Sequence, residues 1–327
     1  MLQQPKVHIK KLLLNILKIT TALLALWFIY KRVIEKEQFH VFIDFIKQKS
    51  KSPQTIFYIL FVTILMIVNW GIEAIKWRLL VMQLWPISFK ESFKAIFAGA
   101  TISFFTPNRV GDFAGRIFFL PNKVRLPSII ATFIGNLSQL IITLSAGLFC
   151  SAFFLSEYFQ WSGALITFTK FAACIAGIGL LAAFPFIKYI AYLPPLQRLK
   201  NKYNSYITLL ENYTPRQLTY TLFLSLLRYS VFSIQYLILF HIAGIHISPT
   251  LVAVVCIIFF VQAVIPTVAI TEFAFRGSVA ILVAAPFITA DNEIITASFA
   301  LWLINLALPA AIGSLMILYA KFQNNSN

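Results

Sequence analysis

Apolar residues run along this chain in stretches of roughly 20 to 30, longer than a buried strand or a soluble core helix requires and long enough to cross a bilayer. The pattern predicts a first span over 12–30, flanked by Lys6, Lys10, Lys11 and Lys18 before it and Lys31 and Arg32 after it. The basic pair stands where a signal-peptide cleavage site would need small residues, so the span is retained. A polar segment, 31–54, has Val41, Phe42, Phe45 and Ile46 at amphipathic spacing and predicts a short interfacial helix before Pro53. Further spans are predicted over 55–80, 127–155, 161–187, 217–241 and 294–320, with a basic surface helix over 188–216 and a polar tail from Lys321.

Two elements break this pattern. Between Phe93 and Leu120 an apolar half-length stretch leads to a polar turn, Thr106 to Asp112, and then to a second apolar stretch. Leu251 to Ala285 repeats the design around a break from Pro266 to Thr271. Each half reaches across about half a bilayer at ~1.5 Å per residue, which predicts two re-entrant hairpins. Such broken backbone survives at membrane depth only against protein or water. The fold expected is an all-α polytopic membrane protein of about six full spans plus two re-entrant hairpins in an inverted repeat. It forms one membrane domain over 1–327: first span and loop (1–54), first repeat half (55–155), linking span and basic segment (156–216), second half (217–320) and tail (321–327).

Composition agrees: 59% of residues are hydrophobic and 12% charged, about half the charged share of a soluble domain. The net charge of +16 would suggest nucleic acid if it gathered on one solvated face. Instead the basic residues punctuate span ends. With both termini cytoplasmic, 18 of the 27 fall on the inner side and six in the 31–54 loop, as the positive-inside rule requires. In that orientation the first hairpin enters from the cytoplasm and the second from outside; the location expected is the cell (inner) membrane of a prokaryote.

The halves also echo each other in residues. Asp112-Phe113-Ala114-Gly115-Arg116 and Glu272-Phe273-Ala274-Phe275-Arg276 share the pattern acid-Phe-Ala-x-Arg, 160 positions apart, with Pro107 and Pro266 in the preceding breaks and Gly111 closing the first. Matched broken helices point to a transport site near the midplane. Acid and arginine four residues apart share one helical face and can pair. One role for these pairs is to hold the hairpins in place. The other is recognition, in which Arg109, Arg116 and Arg276 offer planar donors to a phosphate while Asp112 and Glu272 orient them or hold a cation. Thr106 and Asn108 lie in the first break beside them, and Arg228 stands about three turns into its span.

Glu73, near a span end, reads as a snorkelling partner of Lys76. Asn69, Asn136, Gln139, Gln235, Gln262 and Asn305 read as interhelical hydrogen-bonding groups, with Asn136 and Gln139 the best placed to line a cavity. Cys150, Cys174 and Cys256 lie in apolar runs without ligand spacing, and the four histidines are scattered. Neither a metal site nor a cofactor is expected.

The segment Thr106-Pro107-Asn108-Arg109-Val110-Gly111-Asp112, followed by Arg116, resembles the T-P-x-R-x-G-E segment of the lysylphosphatidylglycerol synthase transmembrane-region family, the flippase-like domain proteins. Pro266 to Glu272 resembles that family's second proline-to-glutamate segment, and Lys76-Trp77-Arg78 its aromatic-basic end of the second span. Asp112 replaces the family's glutamate, and 267–271 has no glycine. The resemblance, over about 55–320, implies a membrane domain that moves lipids between leaflets, without the soluble synthase domain and so without an enzyme's activity. A lipid flippase for a phospholipid or polyprenyl-phosphate-linked lipid is therefore the leading expectation. Its partners would be the membrane lipid, a further copy of the chain and a separate lipid-modifying enzyme, with no nucleic acid. The competing readings are a membrane enzyme acting on polyprenyl diphosphate and a small-solute or ion secondary transporter. The chain has no GxxxxGK[ST] motif to bind ATP.

Overall fold

The computed structural model describes residues 52–104, 106, 110–158, 163–265 and 272–319, together with five isolated positions before them. Apart from those five positions, the expected first span and interfacial helix, together with the tail, Pro107, Asn108, Arg109 and Pro266, lie outside the described residues. Among the described residues all regular structure is helical: α1 (Pro53–Val81), α2 (Phe89–Ser103), α3 (Gly111–Ile117), α4 (Asn122–Arg125), α5 (Ser128–Tyr158), α6 (Gly163–Ala183), a 3₁₀ stretch (Phe184–Tyr192), α7 (Pro194–Asn212), α8 (Pro215–Ala243), α9 (Pro249–Val264), α10 (Glu272–Ala284), α11 (Asp291–Trp302), a π-helical turn (Leu303–Ala307) and α12 (Leu308–Tyr319). Five of these stretches are long and apolar enough to cross a membrane. The protein is an all-α, multi-pass membrane protein.

Local chemistry sets the helix ends. Proline occupies the first turn of α1, α7, α8 and α9, where its missing N–H costs nothing. Ser88 and Glu91 form a capping box at α2, as do Thr214 and Gln217 at α8. Replacing Ser88 by Ala removes the acceptor for the Glu91 N–H and is expected to cost about 1 kcal/mol, read as a fall in thermal midpoint in detergent. Gly244 ends α8 in the left-handed region at φ 105°, the conformation glycine adopts without a Cβ penalty. In the last span Pro309 has no N–H for the carbonyl of Asn305, four residues back. The ladder resets there, and the Leu308 N–H bonds the Leu303 carbonyl five residues back.

The cross-helix bonds fix the helix directions. Along α1 and α8 the contacts run Tyr58 to His241, Gln235 to Val62, Arg228 to Asn69 and Tyr213 to Leu80. The two helices are therefore antiparallel. The α2–α3 pair follows the C-terminus of α1 and the α9–α10 pair follows the C-terminus of α8, so the two pairs enter the bundle from opposite ends. The basic segment begins as the 3₁₀ stretch and becomes helical at Pro194, a few residues later than expected. Tyr213, just past its end, is buried and donates its hydroxyl to the Leu80 carbonyl.

Large apolar side chains coat the outside: Phe57, Leu60, Ile64 and Ile67 on α1, and Phe168, Phe171, Ile175 and Ile178 on α6, are exposed. In a bilayer this is the lipid-facing surface, and helix association then depends on close packing. Glycines supply it. A Cβ on Gly115 of α3 would lie 2.5 Å from the Ala98 carbonyl oxygen and from Gly99 Cα on α2, so the first pair meets backbone to backbone. Position 275, which matches Gly115 in the acid-Phe-Ala-x-Arg echo, is phenylalanine, and such an approach is sterically closed to it.

Candidate functional site

Asn69, Trp70, Glu73, Lys76 and Trp77 recur at helical spacing on one face of α1, and all five are buried. Glu73 is the hub. Its Oε2 is 2.8 Å from Lys76 Nζ and 2.9 Å from Arg228 Nη1 on α8, and its Oε1 is 3.0 Å from Arg116 Nη1 on α3. Arg116 also holds Asp112 through two contacts, Nε to Oδ1 at 2.7 Å and Nη2 to Oδ2 at 2.6 Å. The acid-Arg pairing inferred from spacing is present in the first hairpin and extends to a second acid on another helix. Lys76 further donates to Ser225, which bonds Ser138 of α5 at 2.7 Å. Glu73 does not snorkel: its side chain is 1% exposed. Lys76 and Trp77 are buried as well, and the Trp77 indole donates to Thr132. The polar stripe itself was a readable signal for this; what hid it was its position near the end of an apolar run.

Each charge at membrane depth costs ~2.5–3.5 kcal/mol unpaired on the insertion scale. Three cations share two carboxylates here, and that mutual pairing makes their burial tolerable. The set nonetheless carries one excess positive charge, and Arg228 is where it meets open space. Its Nε donates to Asn69 Oδ1 at 3.2 Å, its guanidinium lies over the Trp70 ring at 5.6 Å, and its side chain remains 21% exposed.

A cavity of about 230 Å³ opens beside it, lined by Arg228, Arg276, Asn69, Gln139, Gln262 and Asn305, with Thr143 and an aromatic wall that includes Trp70, Phe232 and Phe259. Arg276 of α10 donates to Gln262 Oε1 of α9 at 2.9 Å. Each cavity arginine is thus oriented by an amide oxygen from a neighbouring helix. Asn305 enters from the π-helical turn, where the reset ladder brings its side chain within 3.4 Å of Asn69 Nδ2; such turns recur at functional sites. The cavity belongs to the second hairpin. No described residue of the first hairpin lines it; Arg116 is linked to it through Glu73 and Arg228. Gln139 lines the cavity as expected, whereas Asn136, one turn earlier, does not.

Other expected site residues sit as follows. Thr106 Oγ1 accepts the Gly111 N–H at 2.7 Å and so closes the turn before α3. Gly111 permits this closeness, since a Cβ there would lie 2.5 Å from the Ile102 carbonyl oxygen. Glu272 opens α10, and its side chain is outside the described residues.

The family model described as the lysylphosphatidylglycerol synthase TM region matches residues 15–290. The chain belongs to the lysylphosphatidylglycerol synthase transmembrane-region family. No curated protein and no solved structure matches it. The match spans both hairpins, the hub helix α1 and the cavity arginines, so in this member of the lysylphosphatidylglycerol synthase transmembrane-region family the ion network and both cavity arginines fall inside the family domain, while Asn305 lies beyond it.

Proposed function

We propose that this member of the lysylphosphatidylglycerol synthase transmembrane-region family is a lipid flippase-like transporter that carries a phosphate-bearing lipid between leaflets. The observation that carries the reading is the cavity inside the bundle, where Arg228 and Arg276, from different helices, face a space bounded by amide and aromatic side chains. Two guanidinium groups aligned by amide oxygens suit the tetrahedral oxygens of a phosphate. At about 230 Å³ the space falls below the ~300–1,000 Å³ of a drug-sized site. It suits a headgroup, while acyl or prenyl chains stay in the bilayer. We read the two helix pairs as halves of an inverted repeat working in the cell membrane of a prokaryote with both termini cytoplasmic, in partnership with a separate lipid-modifying enzyme and without catalysis by this chain.

The test is reconstitution into liposomes with labelled phospholipid and polyprenyl phosphate. Wild-type protein is expected to accelerate leaflet exchange. Arg276→Gln should slow it roughly ten- to a hundredfold, the loss expected when a hydrogen bond to a charged group worth ~1.5–3 kcal/mol is removed, and Arg276→Lys should restore part of it. Exchange by Arg276→Gln at the wild-type rate removes the cavity from the pathway.

A further inference from the structure

Glu73 does not line the cavity, yet it holds an arginine that does: Arg228 Nη1 is 2.9 Å from Glu73 Oε2. A phosphate in the cavity and the Glu73 carboxylate are both anions and call on the same planar donors. They therefore compete for Arg228. The geometry also shows which of the three cations around Glu73 can be given up. Lys76 and Arg116 are buried, and of the three Arg228 is the one on the cavity wall. Glu73 Oε2 has a second partner in Lys76 Nζ at 2.8 Å, and Oε1 keeps Arg116 Nη1 at 3.0 Å. The carboxylate thus stays paired when Arg228 turns away, and no buried charge is stranded by the exchange.

Arg228 has a seat on which to turn. Its Nε stays 3.2 Å from Asn69 Oδ1 and its guanidinium lies 5.6 Å from the centre of the Trp70 ring, both residues of the cavity wall. The group can keep these contacts while Nη1 passes from one anion to the other. Charge favours the exchange in the same direction. Lys76, Arg116 and Arg228 share only Glu73 and Asp112, so an anion at Arg228 balances the one positive charge in excess. When the phosphate leaves, Glu73 takes its place at Arg228. The protein thereby carries its own replacement for the departing ligand, which weakens the grip and shortens its hold.

We propose that Glu73 is the release residue of the transport site, a positioning residue that competes with the lipid phosphate for Arg228 and so trades affinity for turnover. This rests on the transporter reading above and adds to it a role for a residue outside the cavity.

The experiment measures leaflet exchange by the full-length protein in liposomes as the mole fraction of labelled lipid is raised, in one arm with a phospholipid, a phosphodiester, and in the other with a polyprenyl phosphate, a monoester. Glu73→Gln combined with Lys76→Met removes the competitor and keeps the net charge of the network at the wild-type value, so a change reports competition rather than a stronger field. This double variant is expected to reach half-saturation at an about tenfold lower lipid fraction and to show an about tenfold lower maximal rate, the scale of one hydrogen bond to a charged group. Lys76→Met alone leaves Glu73 more fully to Arg228 and should move half-saturation to a higher lipid fraction. The arm in which these shifts occur identifies the phosphate carried. A double variant with wild-type half-saturation in both arms, or with an unchanged maximal rate, overturns the proposal while leaving transport standing. Should that variant not fold, half-saturation of Lys76→Met at or below the wild-type fraction overturns it in the same way. Wild-type protein that accelerates exchange of neither lipid removes the transporter reading, and the competition with it.

Discussion

Glu73→Ala is expected to destabilise the protein by about 3–5 kcal/mol, the cost of stripping the partner from buried charges. The effect is large because one carboxylate serves Lys76, Arg116 and Arg228 from three helices. Its loss leaves Arg116 with Asp112 alone and leaves Lys76 with a single hydroxyl partner, Ser225. Charge balance then becomes the discriminating variable. The double variant Glu73→Gln with Lys76→Met removes one charge of each sign and should recover much of the loss, whereas Glu73→Gln alone should not. Thermal unfolding of the purified variants in detergent reads both. A Glu73→Ala midpoint no lower than that of an exposed control such as Lys90→Ala would show that the network contributes nothing to the folded state.

Gly115→Leu is expected to prevent closure of the first hairpin. A Cβ at 115 already lies 2.5 Å from the Ala98 carbonyl oxygen and from the Gly99 backbone. Those neighbours are main chain and cannot swing aside. Overpacking a core by smaller amounts costs ~1–3 kcal/mol, so the variant should lie at or above the top of that range. It should appear mainly as aggregate in size-exclusion chromatography. The displacement also carries Arg116 away from Glu73, so the two defects should be less than additive when combined. Gly71→Ala provides the opposite expectation. Nothing lies within 4 Å of a Cβ there, and relief of glycine's backbone entropy in a helix should raise stability by ~0.5–1 kcal/mol. A Gly115→Leu protein that elutes and melts like wild type would sink the backbone-contact account of the hairpin.

The helical outline was legible because it depends on one-dimensional quantities. Apolar run length marks the spans, and their expected starts fall within a few residues of those observed. The Asp112–Arg116 pair was legible for the same reason, since a spacing of four places both on one turn. The central role of Glu73 was not inferred, although Asn69, Trp70, Lys76 and Trp77 shared its face, because hydropathy near the end of a run reads alike for a snorkelling charge and a buried one. The distinction depends on what packs outside α1 at that level, namely α3 and α8.

By itself, the amino-acid sequence determined that this protein resides in a membrane, that two of its apolar stretches are interrupted, and that few charges occupy the interior. These follow from the cost of exposing backbone and charge to hydrocarbon, which every residue meets locally. Only the tertiary structure decided which charges meet. Arg116 and Arg276 occupy equivalent places in the two echoed segments, yet Arg116 is sealed into an ion network and Arg276 faces the cavity. A glycine at 115 lets backbone approach backbone, and a phenylalanine at 275 does not. Helices brought together from positions 69, 139, 228, 262, 276 and 305 form the cavity, and no local rule links residues so far apart.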